Sequence, residues 1–184
     1  QLLNQLSQMD GFILVVRAFD NDSVMHPSGS VDAKRDAESM LSELLLNDLI
    51  AVERKLERLV DERKKGGTDK ALNEKQTILF TRLNEALNNN IPLRKLEYSH
   101  EELKELSSFG LLSRKPVLVV FNLSEGQAAP QMELDTPSVA LMGKLEMEIA
   151  QLSPEDAALF MEEYGIKELS LSRMINLSYD LLQV

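Results

Sequence analysis

Two runs of apolar residues, Phe12-Ile13-Leu14-Val15-Val16 and Val117-Leu118-Val119-Val120-Phe121, constrain this chain more than any other feature. Neither alternates with polar residues and both are rich in β-branched side chains, so each reads as a strand buried on both faces of a parallel sheet. Parallel strands need long crossovers, and the stretches between and after these runs are helical in pattern. The expectation is an α/β fold with right-handed connections.

Composition narrows the chemistry. The 184 residues are 43% hydrophobic but only 5% aromatic, with no Trp, so the core rests on Leu, Val, Ile and Met. The absence of cysteine excludes a disulfide scaffold, thiolate zinc, iron–sulfur clusters and a cysteine nucleophile. The two histidines, His26 and His100, lie far apart, so no metal site is expected. A net charge of −10 opposes wrapping by DNA. Neither apolar run approaches the roughly 20 residues of a membrane span. No charged-then-apolar leader opens the chain, and a cytoplasmic protein without a membrane partner is expected.

Helical spacing organises the rest. Leu2, Leu3, Leu6 and Met9 read as one face of a helix already under way at the first residue. A polar loop over residues 21–30 follows the first strand, and Asp32 caps a long helix beginning near Ala33. Leu45, Leu49, Val52, Leu56 and Leu59 recur at 4-3-4-3 intervals, as do Leu72, Gln76, Leu79, Leu83 and Ala86. Gly66-Gly67-Thr68 separates the two series, so an antiparallel coiled-coil hairpin is expected. It spans residues 34–90, inserted between domain parts 1–33 and 91–184. Ser99 and Glu102 form a capping box for a helix over 101–108. A third strand is expected over 138–142 and helices over 143–152, 154–164 and 171–182, the second opened by Ser153-Pro154 and closed by Gly165.

No G-x-x-x-x-G-K-[ST], G-x-G-x-x-G or G-x-S-x-G pattern occurs. Gly66-Gly67-Thr68 sits between helices rather than after a strand, which is the wrong place for a phosphate cradle. What remains is Asn122-Leu123-Ser124-Glu125, directly after the second strand. Ligands of open α/β sheets bind at the carboxyl edge of the strands. GTPases place Asn-Lys-x-Asp there, whose carboxylate accepts two N–H donors from guanine. Adenine offers one donor and one acceptor on that edge, so a glutamate in this place should lose guanine selectivity. The tetrapeptide alone is common by chance and reads equally as a plain loop with Asn122 in a turn hydrogen bond. Between residues 54 and 75 there are eight basic and five acidic side chains, a net +3 at the hairpin end. Arg63, Lys64, Lys65 and Lys70 could meet RNA phosphates there, or simply keep a solvated tip soluble. A non-enzymatic helical-hairpin interaction module is the alternative reading of the whole chain.

Together, Asp10, Val15-Val16-Arg17, Phe19, His26, Gly29, Val31-Asp32, Asp36, Glu43-Leu44, Asp48-Leu49, Val52-Glu53, Leu111-Leu112-Ser113-Arg114-Lys115-Pro116, Asn122-Leu123-Ser124-Glu125, Lys144-Leu145-Glu146 and 148–152 resemble the Obg-like ATPase (YchF) family of P-loop GTPases. The resemblance covers nearly the whole chain in the family's order. It implies a partial P-loop-GTPase-type parallel sheet carrying an inserted coiled-coil domain, ATP with Mg²⁺ as the cofactor of the intact protein, and ribosome association. It assigns Asn122, Leu123 and Glu125 to base recognition. It sets Met142-Gly143-Lys144 in place of a Ser-Ala-Lys segment that closes over the base. It makes the loop residue His26 a catalytic candidate, orienting the attacking water; a solvated loop histidine is the other reading. Departures are Ala33 for a proline and Ser7 for an arginine. The resemblance further places the P-loop and both switch regions before Gln1 and a TGS domain after Val184. On that expectation the segment alone binds no nucleotide appreciably and hydrolyses none.

Overall fold

The computed structural model describes residues 5–66, 69–164, 166 and 168–182. Leu2 and Leu3 of the first helical stretch, Gly67-Thr68 of the hairpin turn and the stop at Gly165 lie outside the described residues. In chain order the elements are β1 (Phe12–Arg17), α1 (Ala33–Lys65), α2 (Lys70–Asn88), a 3-10 turn (Leu93–Lys95), α3 (His100–Leu106), β2 (Val117–Asn122), β3 (Ser138–Leu141), α4 (Gly143–Ile149), α5 (Pro154–Glu163) and α6 (Ser170–Leu182).

The strands form one parallel sheet in the order β1-β2-β3. β2 is central and its residues from Val117 to Phe121 are all buried, as an unalternating run requires. β1 departs from the expectation. Phe12 and Val16 are buried, but Ile13 is 46% and Val15 59% exposed, so this strand is buried on one face only. Register explains the asymmetry. Ile13 pairs with Leu118 and Val15 with Val120, which puts all four on one face of the sheet. On that face Met174, Leu177 and Leu181 of α6, with Leu141, pack against Leu118, Val120 and Val139. That cover leaves Ile13 and Val15 in solvent.

The chain divides into two compact units, Gln1–Asp10 with Ser39–Pro116 and Gly11–Glu38 with Val117–Val184. The sheet lies in the second. The first is built on α1 and α2, bonded from Asn73 Nδ2 to the Leu59 carbonyl (3.0 Å) and from Lys55 Nζ to Gln76 Oε1 (2.9 Å). The partner numbers fall along one helix as they rise along the other, so the pair runs antiparallel. Val52, Leu79, Phe80, Leu83, Ala86 and Leu87 form its core with Leu93, Leu106 and Leu111. The expected seam fails at one end: Leu72 is 46% exposed and Asn73 is buried in its stead. Its Nδ2 donates to the Leu59 carbonyl, which offsets part of the cost of burying a polar group there.

Two polar anchors stand out in this unit. Asp48, fully buried in α1, accepts from the N–H groups of Leu112 and Ser113 (both 2.7 Å) and from the Ser113 hydroxyl (2.6 Å). Burial raises its carboxyl above the usual range, against the pull of those donors. Lys115 Nζ donates to the carbonyls of Leu6 (3.3 Å), Ser7 (2.6 Å) and Met9. The capping box forms as expected: Glu102 N–H donates to Ser99 Oγ (3.2 Å) and Ser99 N–H to Glu102 Oε2 (2.8 Å). That bond, helped by Arg82, holds the Glu102 carboxyl below its usual range.

Candidate functional site

β2 ends at Asn122, and the chain turns there under several restraints. Ala18 N–H donates to the Asn122 carbonyl (2.9 Å), and Leu123 N–H to the Leu141 carbonyl (2.8 Å). Gly126 adopts a φ of 72°, a conformation that favours glycine, and Gln127 N–H closes the turn on the Ser124 carbonyl (3.2 Å). The Asn122 side chain accepts from Gly143 N–H (3.1 Å) through Oδ1. A Cβ at residue 143 would stand 2.9 Å from that oxygen, so glycine there lets the carboxamide and the start of α4 meet.

This turn borders a cavity of about 400 Å³ lined by Asn122, Leu123, Ser124 and Glu125, by Phe19, Asp20 and Asn21 after β1, and by Lys144, Leu145 and Glu148 of α4. The cavity opens at the carboxyl edge of the sheet, where open α/β folds bind ligands. Its side chains include three carboxylates (Asp20, Glu125, Glu148) against one ammonium, and Lys144 Nζ lies 3.9 Å from Glu148 Oε1. That balance suits the N–H groups of a base and opposes a phosphate.

The structure thus brings Asn122, Leu123 and Glu125 together. Gly143 reaches the site through Asn122 alone, and Met142, at the cap of α4 without a side-chain bond, is not among the cavity's lining residues. His26 lines a separate cavity of about 280 Å³ with Arg17, Asp22 and Met25; Asp20 and Asn21 border both cavities. Its Nδ1 accepts from Ser28 N–H (3.2 Å), and its Nε2 lies 3.0 Å from Asp36 Oδ2. Arg63, Lys64, Lys65 and Lys70 are exposed at the end of the helical pair, with Lys64 3.7 Å from Asp61. Among the described residues no cluster of His, Cys, Asp and Glu has the makings of a metal site, and no helix is long and apolar enough to cross a membrane. Reading motifs alone passed over Asp20, Asn21 and Glu148. The rule that sites collect at strand carboxyl ends would have found the first two, which follow β1 directly.

No protein-family profile matches the chain. Individual relatives do. The ribosome-binding ATPase YchF of Bacillus subtilis is 32% identical over 99% of this chain and 52% of its own length. The protein of the same name from Escherichia coli O157:H7 is 32% identical over 100% of this chain and 53% of its own length. This chain belongs to the YchF, or Obg-like ATPase, family. It spans about half the length of the curated relatives it matches. The solved structure of the Schizosaccharomyces pombe YchF GTPase has the same fold, with a TM-score of 0.79, 24% identity, and coverage of 98% of this chain and 52% of that one.

Proposed function

We propose that this chain forms the base-recognition edge and the helical arm of an Obg-like ATPase, with the phosphate site on the part of the family's length outside it. The observation carrying this reading is the cavity at the carboxyl end of β2, which Asn122 and Glu125 share with Phe19. With Oδ1 of Asn122 held by Gly143, its NH₂ group is free to donate to a purine ring nitrogen. Glu125, exposed at the rim, accepts from an exocyclic amine, and Phe19 offers the purine an aromatic neighbour. The sequence has no Gly-rich phosphate loop, so ATP hydrolysis with Mg²⁺ belongs to the intact protein and not to this segment. The α1–α2 pair acts as a coiled-coil arm. Its basic end, Arg63, Lys64, Lys65 and Lys70, meets ribosomal RNA phosphates in the cytoplasm, in keeping with the ribosome-binding names of the relatives.

Base recognition is testable without phosphates. Titrating the chain with adenosine and guanosine, followed by amide chemical shifts, should show weak binding of adenosine, on the order of millimolar. The shifts should centre on Phe19, residues 123–125 and Leu145, and Glu125→Asp should bring guanosine up to parity. Shifts confined to other residues, or equal binding of the two nucleosides by the unaltered chain, overturn the reading.

A further inference from the structure

Gln127 does not line the cavity, yet its side chain holds together the loop that does. Its Oε1 accepts from both the Ser124 N–H and the Ser124 hydroxyl (3.0 Å each), and its Nε2 donates to the Ala18 carbonyl (2.5 Å). One carboxamide therefore ties the Asn122–Glu125 turn to Ala18, the residue immediately after β1. Its amide geometry uses the acceptor and one donor, which no hydrocarbon or carboxylate side chain reproduces in full. Without it, among the described residues the exposed stretch from Ser124 to Gly126 keeps on that side the Gln127 N–H to Ser124 carbonyl bond.

We infer that Gln127 is a positioning residue for base selection, fixing where Glu125 stands relative to Phe19 and Asp20. The inference rests on the nucleotide reading of the cavity. Base discrimination depends on distance: a carboxylate that wanders by an ångström accepts from adenine and guanine alike. Gln127 removes that freedom from outside the contact surface, by joining the two strand ends that border the site.

The test compares the full chain with Gln127→Met, which keeps length and loses polarity, and Gln127→Glu, which keeps the acceptor and loses the donor. Exchange of the Ser124 amide, referenced to a sheet amide such as Val120, should become about tenfold faster in Gln127→Met and stay near the original in Gln127→Glu. The ratio of adenosine to guanosine dissociation constants should fall toward one in Gln127→Met, a change that a general loss of stability does not produce. Faster exchange with an unchanged ratio overturns the positioning role, as does unchanged exchange. Equal binding of the nucleosides by the unaltered chain is a different result: it removes the base-recognition reading, and the role of Gln127 with it.

Discussion

β1 and β2 are near twins as sequence and unlike as structure. Both are short apolar runs, paired in register along one edge, yet every position of β2 from Val117 to Phe121 is buried whereas Ile13 and Val15 of β1 stand in solvent. Hydrophobicity states what a strand prefers to bury, and neighbours decide whether it does. Among the described residues, β2 has a strand on each side and α6 over Leu118 and Val120, whereas β1 has one strand partner and no such cover at Ile13 and Val15. The largest test of this contrast is a matched pair of truncations at directly paired positions. Leu118→Ala removes a fully buried side chain and should cost about 3 kcal/mol in urea unfolding, whereas Ile13→Ala should cost under about 1 kcal/mol. Equal losses would mean that the exposed face of β1 is covered in solution.

The segments leading into the two strands sharpen the same contrast. Ahead of β2, the buried Asp48 carboxylate holds backbone N–H groups; ahead of β1, the half-buried Lys115 ammonium holds backbone carbonyls. Asp48→Asn leaves a buried donor unmatched and should cost about 2 kcal/mol, and Lys115→Met about 1 kcal/mol. The pH dependence carries a sign. Burial raises the folded pKa of Asp48 above its usual 3.8, so its contribution is full at pH values below 3.8 and is lost as pH rises through the folded pKa. The stability gap between Asp48→Asn and the unaltered chain should therefore narrow as pH rises out of that range. A gap that widens instead would mean that the bonds from Leu112 and Ser113 outweigh desolvation.

What was legible in the sequence was local. The capping box at Ser99 and Glu102, the Ser153-Pro154 helix start and the long helix after Asp32 all depend on contacts within a few residues, and all form. The turn at Asn122 was legible because a buried strand and its following residues fix where a cavity edge lies. Asp48 was not, since a lone acid in a helix ordinarily faces water and its partners stand 64 and 65 residues away. Gln127 was not, for the same reason: its bond to Ala18 spans 109 residues. The seam at Leu72 misled because strict 4-3 spacing drifts against a helix of 3.6 residues per turn, and one position of drift exchanged Leu72 for Asn73.

The smallest effect on stability falls where β1 is barest. Among the described residues β1 pairs with β2 alone, so its other edge has no strand beside it where Ile13 and Val15 are exposed. An apolar edge of this kind is a template for another strand. Replacing both residues with Thr keeps β-branched shape and strand propensity, so unfolding free energy should move by no more than about 0.5 kcal/mol. Self-association is where the change should register. Sedimentation velocity over a concentration series should show the unaltered chain forming larger species and the Thr pair shifting it toward monomer. If the two behave alike, the free edge is not what draws copies together, and β1 differs from its twin only in burial.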